Sequence, residues 1–482
     1  MLFNSYEFIF AFLPIVIIGF IGCQKTNSKT LVTSWLIVCS LFFYGWWNPN
    51  YLQLILLSII VNFFLATTIR NFSALRKMRF AKTTLLIGIS LNLLLLAYFK
   101  YANFFIENIN LLISNEHSTL NIVLPLALSF FTFQQITYLV DTHKGAVPSH
   151  SLLDYCLFVT FFPQLIAGPI VHHKEMMPQF SDANFLKTDS LKIAKGLSLF
   201  SLGLFKKVII ADYFSLLANP VFGESSTGEL TSFTTAWVGS ISYTLQLYFD
   251  FSGYSDMALG LALMFGITLP CNFNSPYKAN CIIDFWRRWH MTLSGFLKDY
   301  VYIPLGGNQK GNSRRFINIL LTMFLGGLWH GAGWTFVVWG LLHGTYLIIN
   351  HAWRALPKLT LAAFNSFPTI FWRPLTFIAV VIAWVVFRSE NLSSAMLIIS
   401  SMFNPNMTAS NHDLMDFIPL AIGLLLVWYA PNSNEIFSTN KNHSTIAYKW
   451  SMSIASAFIF SIMGFITVVY LAQAQEFLYF QF

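Results

Sequence analysis

Apolar stretches of about twenty residues, the length that carries a helix across a bilayer, recur from one end of this chain to the other. They run near 6–22, 31–47, 51–69, 83–106, 120–140, 190–218, 233–266, 316–330, 333–353, 367–388, 417–430 and 446–471. In lipid no water can pair with a backbone N–H or C=O, so each segment must satisfy its own and folds as a helix. The expected fold is an all-α polytopic membrane protein with about eleven to thirteen crossings, built as one integral domain over 1–482. Composition agrees: at 56% hydrophobic and 10% charged, the chain cannot solvate its own surface. Two stretches, 152–170 and 281–305, mix aromatic residues with Pro, Gly or charge. Such backbone is tolerated at membrane depth only under cover of protein or beside a cavity, so both are expected to be re-entrant or interfacial. The opening Met-Leu-Phe-Asn-Ser lacks a basic leader, and the first apolar stretch reads as a retained span.

A formal charge of +8 invites thoughts of nucleic acid, but the placement of the charges explains it better. Arg70, Arg76, Lys77, Arg79 and Lys82 crowd one loop, and Lys25 and Lys29 another. Both belong in the cytoplasm under the positive-inside rule. Lys310, Arg314, Arg315, Arg354, Lys358 and Arg373 fall on the same side. The alternate loops near 107–119 and 219–232 hold Glu107, Glu116, Glu224 and Glu229 and no Lys or Arg. Both termini, including the tail 472–482, are then expected in the periplasm of a bacterial inner membrane. Lys206 and Lys207 lie within an apolar stretch, which puts that helix partly at the cytoplasmic interface. The five cysteines lack metal-type spacing and read as reduced packing residues.

Polar residues inside apolar segments are costly and are functional candidates. They are richest from Tyr248 to His343, within a motif region over 161–343. His330 stands among Gly326, Gly327, Gly331 and Gly333, a density that implies close approach of a neighbouring helix or a ligand. It lies about fourteen rises from Phe316, or roughly 21 Å along a helix. A neutral imidazole there can take a hydroxyl proton in acyl transfer; a satisfied core histidine is the structural alternative. His290, on a helix, shares a face with Trp286 and Ser294, and an interfacial aromatic-basic helix is its alternative. Arg287, Arg288, Lys298, Lys310, Arg314 and Arg315 form a basic set able to hold phosphates of a donor, or simply positive-inside charge. Asp250 and Asp256 orient other groups or pair with buried Arg. Trp329 and Trp334 flank His330 as lining candidates. His172 and His173 have no partner at metal spacing, and no metal is expected. His343 lies about 220° around from His330 on an ideal helix and is placed on another face. Nucleotide-binding, serine-hydrolase and zinc-protease motifs are absent from the sequence.

Four stretches resemble the membrane-bound O-acyltransferase (MBOAT) superfamily, and within it the alginate O-acetyltransferase branch. They are Phe-Phe-Pro-Gln-Leu-Ile-Ala-Gly-Pro-Ile (161–170), Tyr-Phe-Asp-Phe-Ser-Gly-Tyr-Ser-Asp (248–256), Asp-Phe-Trp-Arg-Arg-Trp-His (284–290) and Gly-Leu-Trp-His-Gly-Ala-Gly-Trp (327–334). The resemblance implies helices around a central tunnel, with His330 catalytic and His290 its partner. It implies no resident cofactor, but a cytoplasmic thioester donor: acetyl-CoA or an acyl carrier protein. Periplasmic acetyltransferase partners would complete O-acetylation of an exported polysaccharide. Alginate-type polymer is the first acceptor implied, with peptidoglycan or another surface glycan as alternative. A polysaccharide or lipid transporter, or an export scaffold, is the reading from another class. Phe477, Leu478, Tyr479 and Phe480 are similar to the terminus of small membrane peptides of D-alanyl transfer systems, which makes Tyr479 a candidate acyl relay. In that segment an aromatic interface anchor is the alternative.

The charge pattern makes a topological prediction. With the five native cysteines replaced by Ser, a single Cys placed in 107–119 should react with an impermeant thiol reagent on intact cells, and one placed in 76–82 only after permeabilisation. The reverse pattern would invert the fold in the membrane.

Overall fold

Helices are the only regular elements among the described residues, as backbone in lipid requires. The computed structural model describes residues 1–113, 118–229, 231–356, 369–406, 414–437 and 449–478. Of the residues singled out above, Glu116, Lys358, Tyr479 and Phe480 lie outside these. The chain groups into two compact units. Unit 1 comprises Met1–Leu204, Tyr254–Pro270 and Ser451–Ala472; unit 2 comprises Phe205–Gly253, Cys271–Trp450 and Gln473–Phe482.

Among the described residues, five helices are long and apolar enough to cross a membrane: Glu7–Gln24, Asn50–Ala74, Met78–Ile113, Phe371–Arg388 and Ile454–Gln473. Shorter apolar helices are Lys29–Gly45, Leu392–Met402 and Phe417–Tyr429. In the five long spans only 22–50% of the best apolar window is buried inside the protein. Ile454, Phe458 and Phe465 turn outward, at 90%, 66% and 71% exposure. Apolar side chains on the outside need lipid as solvent. One expected span changes shape, and a long one is continuous. The stretch at 120–140 becomes helical only from Leu128, because the chain first turns at Ala127 with φ +63°. The long stretch at 233–266 is one helix, Phe233–Met264.

In unit 1, polar side chains join helices where lipid gives no hydrophobic drive between them. Asn62 and Asn92 exchange amide hydrogen bonds at 2.7 and 3.4 Å, and Gln135 donates to Ser58 at 3.1 Å. These bonds tie together Asn50–Ala74, Met78–Leu96 and Leu128–His143. The stretch at 152–170 does not span. It forms Leu152–Thr160 and Phe162–Leu165 and then runs on without helix, buried throughout 157–171. Its freed backbone is satisfied by protein: the Phe162 N–H donates to Ser40 Oγ at 3.1 Å, the Ala167 N–H to the Tyr254 hydroxyl at 3.4 Å, and Gln164 Nε2 to the Phe158 carbonyl at 2.7 Å. The Phe-Phe-Pro-Gln-Leu-Ile-Ala-Gly-Pro-Ile run is thus a covered irregular segment, as its composition implied.

Glycines set the closest helix contacts. In unit 1, a Cβ on Gly260 would meet the Gly196 carbonyl at 2.5 Å and the Phe200 N at 2.8 Å, so Ser190–Phe205 and Phe233–Met264 meet backbone to backbone. Gly260→Leu should therefore lower the thermal unfolding midpoint in detergent, by the equivalent of about 1–3 kcal/mol of overpacking. Gly22→Leu, at a position with nothing within 4 Å, should leave it unchanged. Equal midpoints would show that the contact carries no constraint.

Candidate active site

Unit 2 holds a helical hairpin, Gly311–His330 followed by Trp334–Arg354. The chain leaves the helical region at Gly331 (φ −161°, ψ +155°) and Gly333 (φ −164°, ψ +152°), so the first helix ends at His330 itself. A Cβ on Gly327 would collide with the Phe336 carbonyl and lie 3.2 Å from Gly340 Cα; one on Gly340 would collide with the Met323 carbonyl. This absence of side chains lets the two helices close face to face. His330, 8% exposed, is ringed by Trp329, Trp339 and Phe387 at centroid distances of 4.9, 5.0 and 5.2 Å.

His290 is fully buried and does not lie within a helix. It joins Ile282–Trp286 to Met291–Leu297 with φ +41° and ψ +55°. The expected helical face shared with Trp286 and Ser294 is therefore lost, because a left-handed residue breaks the period on which i±4 spacing rests. A non-glycine residue in this region is held there by its surroundings, and such conformations gather at functional sites. Asn272 supplies the hold. Its Oδ1 accepts from the Thr292 N–H at 3.4 Å and from Thr292 Oγ1 at 3.0 Å, and it lies 3.0 Å from His290 Nδ1. An amide oxygen can only accept, so the His290 proton sits on Nδ1 and the ring's lone pair on Nε2. The Asn272 carbonyl also takes the Met291 N–H at 2.9 Å. Phe251 meets the ring edge to face at 4.9 Å. Trp329 lies 5.9 Å from His290 and 4.9 Å from His330, so one indole touches both imidazoles.

His343 joins the same cluster, contrary to the helical-wheel expectation. The wheel assumed one continuous helix, and the break at Gly331–Gly333 removes that premise. Trp339 is 5.0 Å from His330 and 4.9 Å from His343. Trp286 Nε1–H donates to His343 Nδ1 at 3.3 Å, which puts the His343 proton on Nε2. Local pattern offered no signal for this residue; the nearby glycines were the available hint.

A cavity of about 400 Å³ opens in unit 2, lined by Trp286, Arg287, Ser294, Lys298, Arg315 and His351 among others. Three of the six basic candidates, Arg287, Lys298 and Arg315, are thus brought together. Arg315 reaches His351 Nδ1 at 2.7 Å. Arg288 instead pairs with Asp284 at 3.0 Å, and neither Lys310 nor Arg314 lines the space. Neither His290 nor His330 lines it either; Trp286 and Ser294 do. Such a pocket, with cations on an otherwise mixed wall, suits a phosphate-bearing ligand.

Other candidates disperse. Trp334 is 55% exposed. Asp256 is buried in unit 1. Asp250 pairs with Lys207 at 2.6 Å, so its cation is a lysine and not the arginine expected. Lys207 is 1% exposed and also pairs with Asp212 at 2.7 Å; it is a buried ion-paired residue rather than an interfacial one. In unit 1, Asp141 lies 3.5 Å from His172 Nε2 and 3.7 Å from His173 Nδ1, a grouping their sequence spacing could not reveal. Ammonium groups of Lys144 and Lys174 share the same carboxylate at 4.0 Å. Burial and the neighbouring His172 lower the His173 pKa to about 4.

Comparison with known proteins follows the same residues. The membrane-bound O-acyltransferase family matches 144–389, which contains His290, His330, His343 and the basic cavity. The chain is 46% identical to the peptidoglycan O-acetyltransferase of Helicobacter pylori, over 84% of this chain and 80% of that one. It is 39% identical to the probable alginate O-acetylase AlgI of Azotobacter vinelandii, over 89% and 83%. A teichoic acid D-alanyltransferase of Streptococcus thermophilus is 30% identical over 51% of this chain and 60% of its own length.

Asn272→Leu should leave the His290 Nδ1–H without its acceptor, a cost of about 1–3 kcal/mol. If that ring takes part in the reaction, acyl transfer should fall roughly 5- to 150-fold with little change in donor KM. Wild-type turnover in a folded variant would remove His290 from the site.

Proposed function

Since this chain belongs to the membrane-bound O-acyltransferase family, we propose that His330 and His290 are the working pair of an enzyme that moves acetyl groups from a cytoplasmic thioester towards hydroxyls of an exported glycan. The observation that carries this reading is the sharing of Trp329 by two buried imidazoles within the family's matched region. The donor is acetyl-CoA or an acyl carrier protein, with phosphates held by Arg287, Lys298 and Arg315 in the cavity beneath Trp286.

In the chemical step an acceptor oxygen attacks the thioester carbonyl, the new C–O bond forms and the C–S bond breaks. His330 takes the hydroxyl proton and returns it to the departing thiolate. His290, proton-bearing at Nδ1 and anchored on Asn272, presents Nε2 as a second lone pair in the same cluster. Tyr479 is the first acceptor in this proposal. A phenol of ordinary pKa ≈ 10 needs a base to attack at neutral pH. Its ester would hand the acetyl group to periplasmic partner proteins, which place it on the polymer. The enzyme then sits in the inner membrane with its tail in the periplasm, as the loop charges favour.

Alginate and peptidoglycan are the acceptors named in the relatives, and both are exported glycans. The higher identity to the peptidoglycan enzyme makes the cell wall the first place to look. Base-releasable acetate on muropeptides and on extracellular polysaccharide, compared between wild-type and deletion strains, assigns the acceptor.

His330→Ala, purified with an unchanged unfolding midpoint, should lose about 10²- to 10⁴-fold in acetyl transfer from a labelled thioester. Unchanged transfer would sink the mechanism and favour a transporter or scaffold.

A further inference from the structure

Lys207 and Asp212, five residues apart, and the more distant Asp250 meet in the interior of unit 2, and each also grips the C-terminal tail. Lys207 (1% exposed) sits between Asp212 Oδ1 at 2.7 Å and Asp250 Oδ1 at 2.6 Å. The second oxygen of each carboxylate is turned to the tail. Asp212 Oδ2 accepts the Gln475 N–H at 3.0 Å, and Asp250 Oδ2 accepts the Leu478 N–H at 3.2 Å. Lys207 Nζ donates to the Glu476 carbonyl at 3.1 Å and lies 5.0 Å from the centroid of the Phe477 ring.

We propose that Lys207, Asp212 and Asp250 form a dedicated seat for a peptide segment, occupied by the chain's own residues 475–478, which reads the backbone and holds the tail for the acyl-transfer step. The charge count supports a site built around an occupant. Two carboxyl groups face one ammonium, so after Lys207 is paired each still has an acceptor oxygen out of water. Buried polar groups without partners are strongly disfavoured. Two backbone N–H groups of the tail supply the missing donors, and charge-assisted bonds of this kind are the strong ones. The reading is of backbone at Gln475 and Glu476, whose side chains are exposed, and of shape at Phe477 and Leu478, which are 1% and 3% exposed.

The seat and the candidate active site share one buried cluster. Leu478 belongs to the same buried cluster as Phe251, Trp289, Trp339 and Phe387. Phe251 follows Asp250 in the chain and touches His290; Trp339 and Phe387 touch His330. Tyr479 follows Leu478 directly. The seat stands on geometry alone, whereas its role in presenting residue 479 rests on the relay reading above. Lys207, Asp212 and Asp250 are positioning residues here.

The test uses the full-length protein in detergent, digested with a carboxypeptidase and read by mass spectrometry, alongside acetyl transfer. Wild type should resist trimming at 478 and before. Gln475→Pro deletes the N–H that Asp212 accepts and fixes φ at 475, while leaving Lys207, Asp212 and Asp250 themselves unchanged; trimming should accelerate roughly 10- to 100-fold. Gln475→Ala keeps the N–H and should behave as wild type. Lys207→Met should release the tail as well, with the unfolding midpoint checking that the fold persists. Transfer to the acceptor should fall with tail release in Gln475→Pro while donor KM stays constant. Unchanged trimming in both Gln475→Pro and Lys207→Met overturns the seat. Faster trimming with wild-type transfer overturns its presenting role. Tyr479→Phe separates the two ideas: full transfer with a protected tail defeats the relay and leaves the seat standing.

Discussion

Close contact between two glycine-bearing helix faces is the constraint on which the candidate site rests. Gly327 and Gly340 remove the side chains that would hold Gly311–His330 and Trp334–Arg354 apart. The extended residues Gly331 and Gly333 then let the second helix fold back along the first. His330 is consequently a helix terminus, facing Trp339 from the returning helix and Phe387 from Thr369–Arg388. A side chain at either glycine would push Trp339 away from the imidazole and open the aromatic cage. The motif Gly-Gly-Leu-Trp-His-Gly-Ala-Gly-Trp thus encodes a bend and a close approach as much as a histidine.

Polar chemistry inside this protein is arranged in two different ways. Around His290 and His330 the neighbours are indoles, phenyl rings and one neutral amide. Around Lys207 the opposite holds: full charges are buried together, and their unmatched oxygens bind tail backbone. Leu478 lies in the same packed cluster as the rings around the histidines, so the two arrangements are neighbours within one core. The candidate pair is surrounded by uncharged groups, while the charged cluster holds the tail.

The sequence made the helical membrane character readable because it follows from local quantities: length of apolar runs, charge poverty and the demand that backbone pair with itself. The covered stretch at 161–170 was legible for a related reason, since Pro and Gly clustered among apolar residues leave backbone groups that protein must cover at membrane depth. His290 and His330 stood out as polar residues in apolar surroundings. Where local period was pushed further, it misled. His343 was assigned to a different face on the premise of an unbroken helix, and His290 was paired with Trp286 and Ser294 on the same premise; the chain breaks at Gly331–Gly333 before His343, and at His290 itself.

What the chain decides by itself is therefore its solvent, its secondary structure and the set of residues too polar to be there by accident. Folding decides which of them meet. Asp141 reaches His172 and His173, Lys207 reaches Asp250, and residues 475–478 reach all three members of the buried ionic cluster only through tertiary packing. Periodicity describes neighbours within a few residues of each other, and the energetic balance of a buried charge is settled by partners tens to hundreds of residues away.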